Sequence, residues 1–413
     1  MIFLYNMKSF TNQFNLRVEN QLKFINLLRH GPQSINYLAD QTNISFTAAN
    51  KIVDQLESFG VLNKRSLKPS EKKRGRTPSQ VSINTSVGVT CAIDFSSQDL
   101  IITINDLVGN VIVKRVLSDV SFIEEKTLSQ VVKEIKQMLS LKEIQKRPLL
   151  GICIASPGMI SKNTGEIEES FRVKAASTIS LSNYFFNEFG VKTNIYNDVK
   201  ISCLGETIEG CIPKEARNYL YVHLGNGCGT ALVVDKKVYQ GKNGFSGELS
   251  NIKDNPTNNR LYGLRSIALK AEEIDSTISY SGKDLVVNVE KLIEEYKKEN
   301  PVLLKAIDET AKADAIQLIA YNDLLDLEYI VIEGPVLLFK EYFKESLLKY
   351  IKQYDNVEFR AKIIFSSLNE NSTLSGAIYQ ANSIYFLSKL EEITSMRDPT
   401  GNYDISDSFG DYI

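Results

Sequence analysis

Histidine is nearly absent: His30 and His223 are the two in 413 residues. That scarcity excludes a histidine-rich metal centre. Cysteine is sparse as well. Cys91, Cys153, Cys203, Cys211 and Cys228 are scattered, odd in number and set in apolar surroundings, with no CxxC pair. They read as reduced core residues of a cytoplasmic protein, with no disulfide framework and no metal or redox pair. Long apolar runs are missing too, and none reaches the length of a membrane-spanning helix. The opening MIFLYN lacks the basic start and extended apolar stretch of a signal peptide. What remains is ordinary globular composition, 43% hydrophobic and 24% charged, in a chain long enough for two or three domains.

Charge is unevenly spread. Residues 1–83 hold 12 Lys/Arg against 5 Asp/Glu, a balance of +7, which leaves −9 for the remainder of a chain whose net charge is −2. A basic head on an acidic body points to a polyanion-binding module joined to something else. Within the head, Leu16, Val18, Leu22, Phe24, Ile25, Leu27 and Leu28 fall at mostly helical spacing and stop near Gly31-Pro32. Ser34 can cap a second short helix carrying Ile35, Leu38 and Ala39, and Ser45 a third. In the third, Ala49, Ile52, Val53 and Leu56 share the inner face, while Thr47, Ala48, Asn50 and Lys51 face outward. Gly60 closes it and Val61-Leu62 begins a strand. This order predicts a winged helix-turn-helix, with Thr47, Asn50 and Lys51 reading bases in a major groove; a helical bundle used for dimerisation is the alternative. Residues 64–76, KRSLKPSEKKRGR, add seven basic side chains against one glutamate. They suit a wing on the phosphate backbone, with Arg74 and Arg76 reaching a narrow A·T-rich minor groove.

From Val87 the pattern changes to strands. Residues 88–95, 100–106 and 110–116 form three consecutive β-runs, followed by a helix near 122–140, a strand at 149–156, a helix near 181–189 and a strand at 193–198 ending in Asn197-Asp198. A similar order repeats with strands at 219–225, 230–235 and 237–241, then helices near 259–272, 285–298 and 303–325. It closes with a strand at 329–334, a helix near 339–353, a strand at 362–367 and a helix at 373–387. Two such halves imply two related α/β lobes with a cleft between them, into which strand ends deliver functional groups. The stretch GNGCGTALVVDKKVYQGKNGFSGELSN, residues 225–251, has glycines grouped on either side of a β-ribbon. Its first turn is a plausible anion cradle, and Glu248, on a second glycine-supported loop, is a candidate acceptor for substrate hydroxyls. The tail from Glu391 is acidic, polar and aperiodic, and reads as mobile.

Over nearly its whole length the chain resembles the ROK family of repressors and sugar kinases. The resemblance lies in GVTCAIDF, GICIASPGMISKNTGEI, YNDVKISCLGE, HLGNGCGTALVVDKKVYQGKNGFSGEL and IVIEGPV. It implies the actin-like, two-lobed sugar kinase fold. With a winged helix and a basic RGRTP arm in front, it implies a sugar-controlled transcriptional repressor similar to the xylose and N-acetylglucosamine repressors. In kinase members, the aspartate at Asp198 is the general base and the glutamate at Glu248 binds sugar; Asn197 matches a neighbouring sugar ligand.

The departures point away from catalysis. The family's Asp-x-Gly-Gly-Thr phosphate segment is here Asp94-Phe95-Ser96-Ser97-Gln98, with side chains where close phosphate approach needs none. Its Gly-Gly nucleotide contact is Glu333-Gly334, which brings a negative charge. Asn251 stands at the zinc histidine, and residues 253–270 contain no cysteine, so no metal is expected. A further sugar-binding glutamate falls near Arg265, which would favour an anionic ligand or pair with a nearby acid.

The expectation is an α/β, actin-like two-lobed protein: residues 1–83 a winged helix-turn-helix, 84–200 and 201–390 the lobes, 391–413 the tail. It would act as a cytoplasmic repressor with no cofactor and no enzyme activity. It would bind double-stranded operator DNA as a homodimer or dimer of dimers, with no membrane partner. Asn197, Asp198, Glu248 and Asn251 would hold a sugar or sugar derivative in the cleft. The enzyme alternative is a ROK sugar kinase with Asp198 as base; a third reading has a vestigial cleft and control by a protein partner.

Overall fold

Two serines start the helices of the head. The hydroxyls of Ser34 and Ser45 accept the amides of Tyr37 and Ala48, each at 3.2 Å, which satisfies amides that have no partner inside a helix. The computed structural model describes residues 17–66, 79–97, 99–170, 172–249, 263–280, 287–355, 359–368 and 371–395. The head comprises α1 (residues 17–29), β1 (Gln33–Ser34), α2 (Ile35–Thr42), α3 (Phe46–Ser58), β2 (Leu62–Ser66) and β3 (Ser79–Ile83). Asn43 adopts the left-handed conformation that ends α2. Ala49, Ile52, Val53 and Leu56 are buried on the inner face of α3, as their spacing predicts. Two-residue β1 is an addition: it joins β3, and the sheet order is β1-β3-β2. Among the described residues, no helix is long and apolar enough to cross a membrane.

The body carries one pattern twice. Its first sheet uses β4 (Val89–Asp94), β5 (Leu100–Asn105) and β6 (Val111–Leu117), then, after α4 (Glu125–Leu139), β7 (Leu149–Ser156). The small pair β8 (Met159–Ile160) and β9 (Ile167–Glu169) and helix α5 (Leu181–Phe189) precede β10 (Thr193–Asn197). Helix α6 (Asp198–Ile208) leads to the second sheet, which starts with β11 (Tyr219–Leu224), β12 (Cys228–Val234) and β13 (Lys237–Val238). Helices α7 (Gly263–Ile274), α8 (Val289–Lys297) and α9 (Pro301–Leu325), strand β14 (Tyr329–Glu333), helix α10 (Lys340–Tyr354), strand β15 (Lys362–Phe365) and helix α11 (Asn371–Ser395) complete the chain. The sheet orders are β10-β7-β4-β5-β6 and β13-β12-β11-β14-β15. In each, three meander strands are followed by two strands added on the far side of the first. All five cysteines are free, and four of them are buried.

The two compact units do not follow single cuts of the chain. Of the described residues, one takes those up to Ile154, Thr178–Asn194 and those from Ala377 to Ser395, and so includes the head. The other takes those of Ala155–Ser177 and Ile195–Gly376. This differs from the expected boundary at residue 200, because β7 and β10 leave the first unit at their ends and α11 returns to it.

Two elements depart from the expected pattern. The strand expected to reach Asp198 ends at Asn197, and α6, which was not foreseen, begins immediately. Helix α11 runs to Ser395, so residues 391–395 of the expected tail are helical. Both helices hide the usual amphipathic signal, since α6 buries Val199 and every residue from Ile201 to Glu206, and α11 every residue from Gly376 to Phe386. A helix buried on all sides has no polar face to mark its period.

Glycine allows α6 and α11 to touch at their backbones. A Cβ on Gly205 would lie 2.1 Å from the Ser372 carbonyl oxygen, and one on Gly376 would lie 2.0 Å from that of Ile201. Beside them the Ser202 and Thr373 hydroxyls share a hydrogen bond of 2.6 Å. In a free helix Gly→Ala is favourable by about 1 kcal/mol. Here the clash reverses the sign: Gly376→Ala is expected to destabilise the protein by about 1–3 kcal/mol. Denaturant unfolding measures it; an unchanged or higher midpoint would refute the close approach.

Candidate ligand site

The chain reverses from strand to helix at Asn197, and both polar atoms of its side chain are used. Its Oδ1 accepts the Lys200 amide at 3.1 Å, capping α6, and its Nδ2 donates to the Gly158 carbonyl at 3.1 Å. Gly158 has φ +120, and a Cβ there would meet the Glu169 carbonyl at 2.4 Å. Asp198 follows as the first residue of α6, and its carboxylate accepts the Val199 amide at 2.9 Å. An acid in the first helical turn complements the exposed amides there.

Glu248 arrives from another direction. Asp235 and Lys236, both at positive φ, turn β12 into β13. The next loop then bends at Gly241, Gly244 and Gly247, with φ of +70, +94 and +96. Gly247 lies on β12: its carbonyl accepts the Thr230 amide at 3.1 Å, and a Cβ would come within 2.1 Å of the Thr230 carbonyl. Lys200 straps the loop, donating from Nζ to the Gly244 carbonyl at 2.6 Å and to Gln240 Oε1 at 3.1 Å. Glu248 is thereby brought into electrostatic reach of Asp198 and Lys200.

Charge in this group is crowded. Burial raises the carboxyl of Asp198 above its usual range, and His223 partly offsets that shift. Burial, then the charge of Asp198, raises Glu248 as well, while Lys200 opposes the rise. Burial pulls the Lys200 ammonium down to about 8. Burial also disfavours the His223 imidazolium, but Glu333 and Asp198 outweigh it and raise the ring to about 8. Neither Lys200 nor His223 was singled out from sequence. The signal for Lys200 was its place three residues beyond a capping asparagine; that for His223 was a lone polar side chain near the end of an apolar strand.

The Gly225–Gly229 turn is closed on itself and its neighbours. The Gly225 amide donates to the Gly227 carbonyl and the Gly225 carbonyl accepts the Leu264 amide, both at 2.9 Å. Asn226 Oδ1 accepts the Val287 amide at 3.1 Å. Arg265 therefore lies on a helix whose first turn is bonded to this glycine turn. In the other unit, Asp94 accepts the Ser96 amide at 2.7 Å and Phe95 is fully buried, which makes a self-contained turn of the segment aligned with the phosphate loop.

Three proposed positions, Asn251, Arg74 and Arg76, lie outside the described residues, as does Gln98. In the head, Thr47 and Lys51 are exposed on α3. Asn50 is half-buried and engaged, donating to Asp54 at 2.6 Å and accepting from Lys64 Nζ at 3.0 Å. Among the described residues, no group of three His, Cys, Asp or Glu side chains is placed to hold a metal ion.

Comparison with known proteins agrees with this architecture. Residues 90–260 match the ROK family. The xylose repressor of Caldicellulosiruptor bescii is 23% identical over 356 residues, 81% of this chain and 88% of the relative. A solved ROK family transcriptional regulator, a homologue of the E. coli MLC protein, superposes with a TM-score of 0.73 at 18% identity, over 92% of this chain and all of its own. A ROK glucokinase from Streptomyces griseus, solved with glucose and AMPPNP, gives 0.58 at 15% identity, over 72% of this chain and all of its own. The fold is that of these solved ROK proteins.

A second buried carboxyl lies away from the Asn197–Asp198–Glu248 group. A small recess is lined by Leu224, Cys228, Leu249, Tyr321, Phe343 and Asp314. Asp314 is 3% exposed, and neither of its oxygens has a hydrogen-bond partner among the described residues. Burial raises its carboxyl well above the usual range, with Lys270 opposing. The folded protein therefore holds this proton where the unfolded chain, at about 3.9, has lost it. Its contribution to stability is complete below that value and declines as pH rises toward the folded-state value. Asp314→Asn should melt above the wild type at pH 8, with the gap narrowing toward pH 4 in thermal unfolding. A gap independent of pH would rule out a buried neutral acid.

Proposed function

Since this chain carries a ROK family domain behind a basic helical head, we propose that it is a DNA-binding transcriptional repressor controlled by a sugar. One observation carries the reading. The head orders helix, strand, helix, helix and two antiparallel strands, the β2–β3 pair in register from Leu62↔Ile83 to Ser66↔Ser79. That is the order of a winged helix-turn-helix. Helix α3 enters the major groove with Thr47 and Lys51 toward the bases, while Asn50, tied to Asp54 and Lys64, tunes the face they present. The connection from β2 to β3 is the basic wing, with Arg74 and Arg76 as its minor-groove arm. The relative named xylose repressor supports this assignment. The molecule acts as a homodimer, or a dimer of dimers, on a palindromic A·T-rich operator in the cytoplasm.

The effector is a sugar or sugar derivative whose hydroxyls donate to Asp198 and Glu248 and bond the amide of Asn197; Asn251 completes the set. Phosphoryl transfer is not its activity. That reaction depends on positioning and neutralising phosphate charge, whereas here the Asp94–Ser97 turn carries side chains in place of glycine and is closed by the Asp94 carboxylate.

Fluorescence anisotropy with DNA flanking the gene provides the test. The full-length protein should bind a specific fragment over competitor DNA, and D-xylose or another sugar that raises its melting temperature should change that affinity. Arg74→Glu with Arg76→Glu should weaken binding and flatten the log–log salt slope by roughly 2, at about 0.9 for each phosphate that is no longer neutralised. An absence of fragment preference would overturn the repressor assignment. Sugar-dependent ADP release that disappears in Asp198→Ala would establish the kinase instead.

A further inference from the structure

We infer that His223, held by Glu333, is a positioning residue for the sugar site: its ring, fixed near the end of β11, places a positive charge near Asp198. The inference rests on the proposal that Asp198 receives sugar hydroxyls, and adds residues which that proposal does not use.

The geometry is specific. His223 and Glu333 occupy paired positions on the parallel neighbours β11 and β14, near the ends of both strands. His223 Nδ1 lies 2.5 Å from Glu333 Oε2, and the glutamate side chain is 7% exposed. A carboxylate so deeply placed holds the ring in one orientation and favours its protonated form. The ring's other nitrogen lies against Gly225, where a Cβ would approach Nε2 to 2.5 Å. A side chain at position 225 would displace the imidazole. The glycine that reads from sequence as a phosphate-approach residue thus makes room for a histidine.

Asp198 lies near this pair: its neighbour Val199 packs on Gly229, where a Cβ would approach Val199 Cγ2 to 2.6 Å, and Gly229 is the cross-strand partner of His223. The surroundings of Asp198 disfavour the carboxylate, and a protonated carboxyl has less capacity to accept from sugar hydroxyls. Of the charged groups interacting with it, Glu333 and Glu248 oppose ionisation and His223 favours it. Lys200 interacts with Glu248. His223 is thus bonded to one carboxylate and acts electrostatically on another.

The consequence is a window of pH for ligand binding. Above about 8 the imidazole loses its proton, Asp198 loses its neighbouring cation, and sugar affinity falls. At the acid end affinity falls as Asp198 takes up a proton. Glu333→Gln removes the main support of the imidazolium, so the ring's pKa falls and its part of the alkaline limb moves to lower pH. His223→Asn removes that part, leaving the loss of the Lys200 proton near 8, and moves the acid limb up.

Two measurements on the full-length protein test this. NMR titration of the ligand-free protein follows the imidazole, with only two histidines to assign, and the Asp198 carboxyl carbon. The expected results are a His223 midpoint near 8 that drops in Glu333→Gln, and an Asp198 midpoint that rises in His223→Asn. Calorimetry with D-xylose, or whichever sugar stabilises the protein, then records affinity against pH for the same variants. An Asp198 midpoint unmoved by His223→Asn overturns the inference, as does a His223 midpoint unmoved in Glu333→Gln. If the midpoints shift as expected while no sugar binds, the sugar reading fails and the positioning role of His223 toward Asp198 stands. Were His223→Asn to unfold the protein, the conservative Glu333→Gln would still decide through the midpoints of the imidazole and of Asp198.

Discussion

The second unit depends on one close contact, the backbone approach of α6 and α11 through Gly205 and Gly376. With the two helices that near, the Glu206 carboxylate, fully buried on α6, reaches the start of α11. It accepts from the hydroxyls of Ser366 and Ser372, and from the amides of Leu368 and Cys211, the last three at 3.0 Å. Burial disfavours its charge, but these donors outweigh burial and hold the carboxyl below its ordinary range. A carboxylate buried this way is stable only because its lone pairs are met. The first turn of the same helix carries Asn197, Asp198 and Lys200. The candidate site therefore stands on an element whose other end is locked into the core by four hydrogen bonds, which limits how far those side chains can drift.

Much of the architecture was legible because it rests on local rules. The serine caps of α2 and α3, the inward face of Ala49, Ile52, Val53 and Leu56, and the two β-meanders follow from spacing and turn chemistry. What escaped was determined by distant neighbours. Helix α6 contains Gly205, which weakens the local helical signal and makes sense only beside Ser372, far along the chain. Helix α11 extends past its expected end because residues such as Leu390 and Ile393 find buried positions. The candidate site divides the same way. Asn197, Asp198 and Glu248 carried motif signals and converge, whereas Lys200 and His223 acquire their roles from partners on other elements.

The two glycine turns of the 225–251 stretch have diverged in use. The second, at Gly241–Gly247, bends the chain so that Glu248 comes within electrostatic reach of Asp198. The first is occupied by internal bonds, the Asn226 side chain and the His223 ring. A protein that senses a ligand needs only the turn that delivers Glu248; one that transfers phosphate also needs the Gly225–Gly229 turn left open. The Asp94 turn is likewise closed, by the Ser96 amide and beside the buried Phe95.

The head also depends on the end of the chain. Arg29 of α1 stacks on Tyr379, 3.9 Å from the ring centroid, and on Phe386, while the Tyr379 hydroxyl donates to Asn26 at 3.1 Å. These partners are separated by some 350 positions. At about 5–20 residues per second, roughly 20–70 s pass on the ribosome between the making of one and of the other. Until then α1 lacks the aromatic platform for its arginine. A chain that stops early presents a head without that seat, and a messenger cut short yields a product unlike the finished protein at its very first helix.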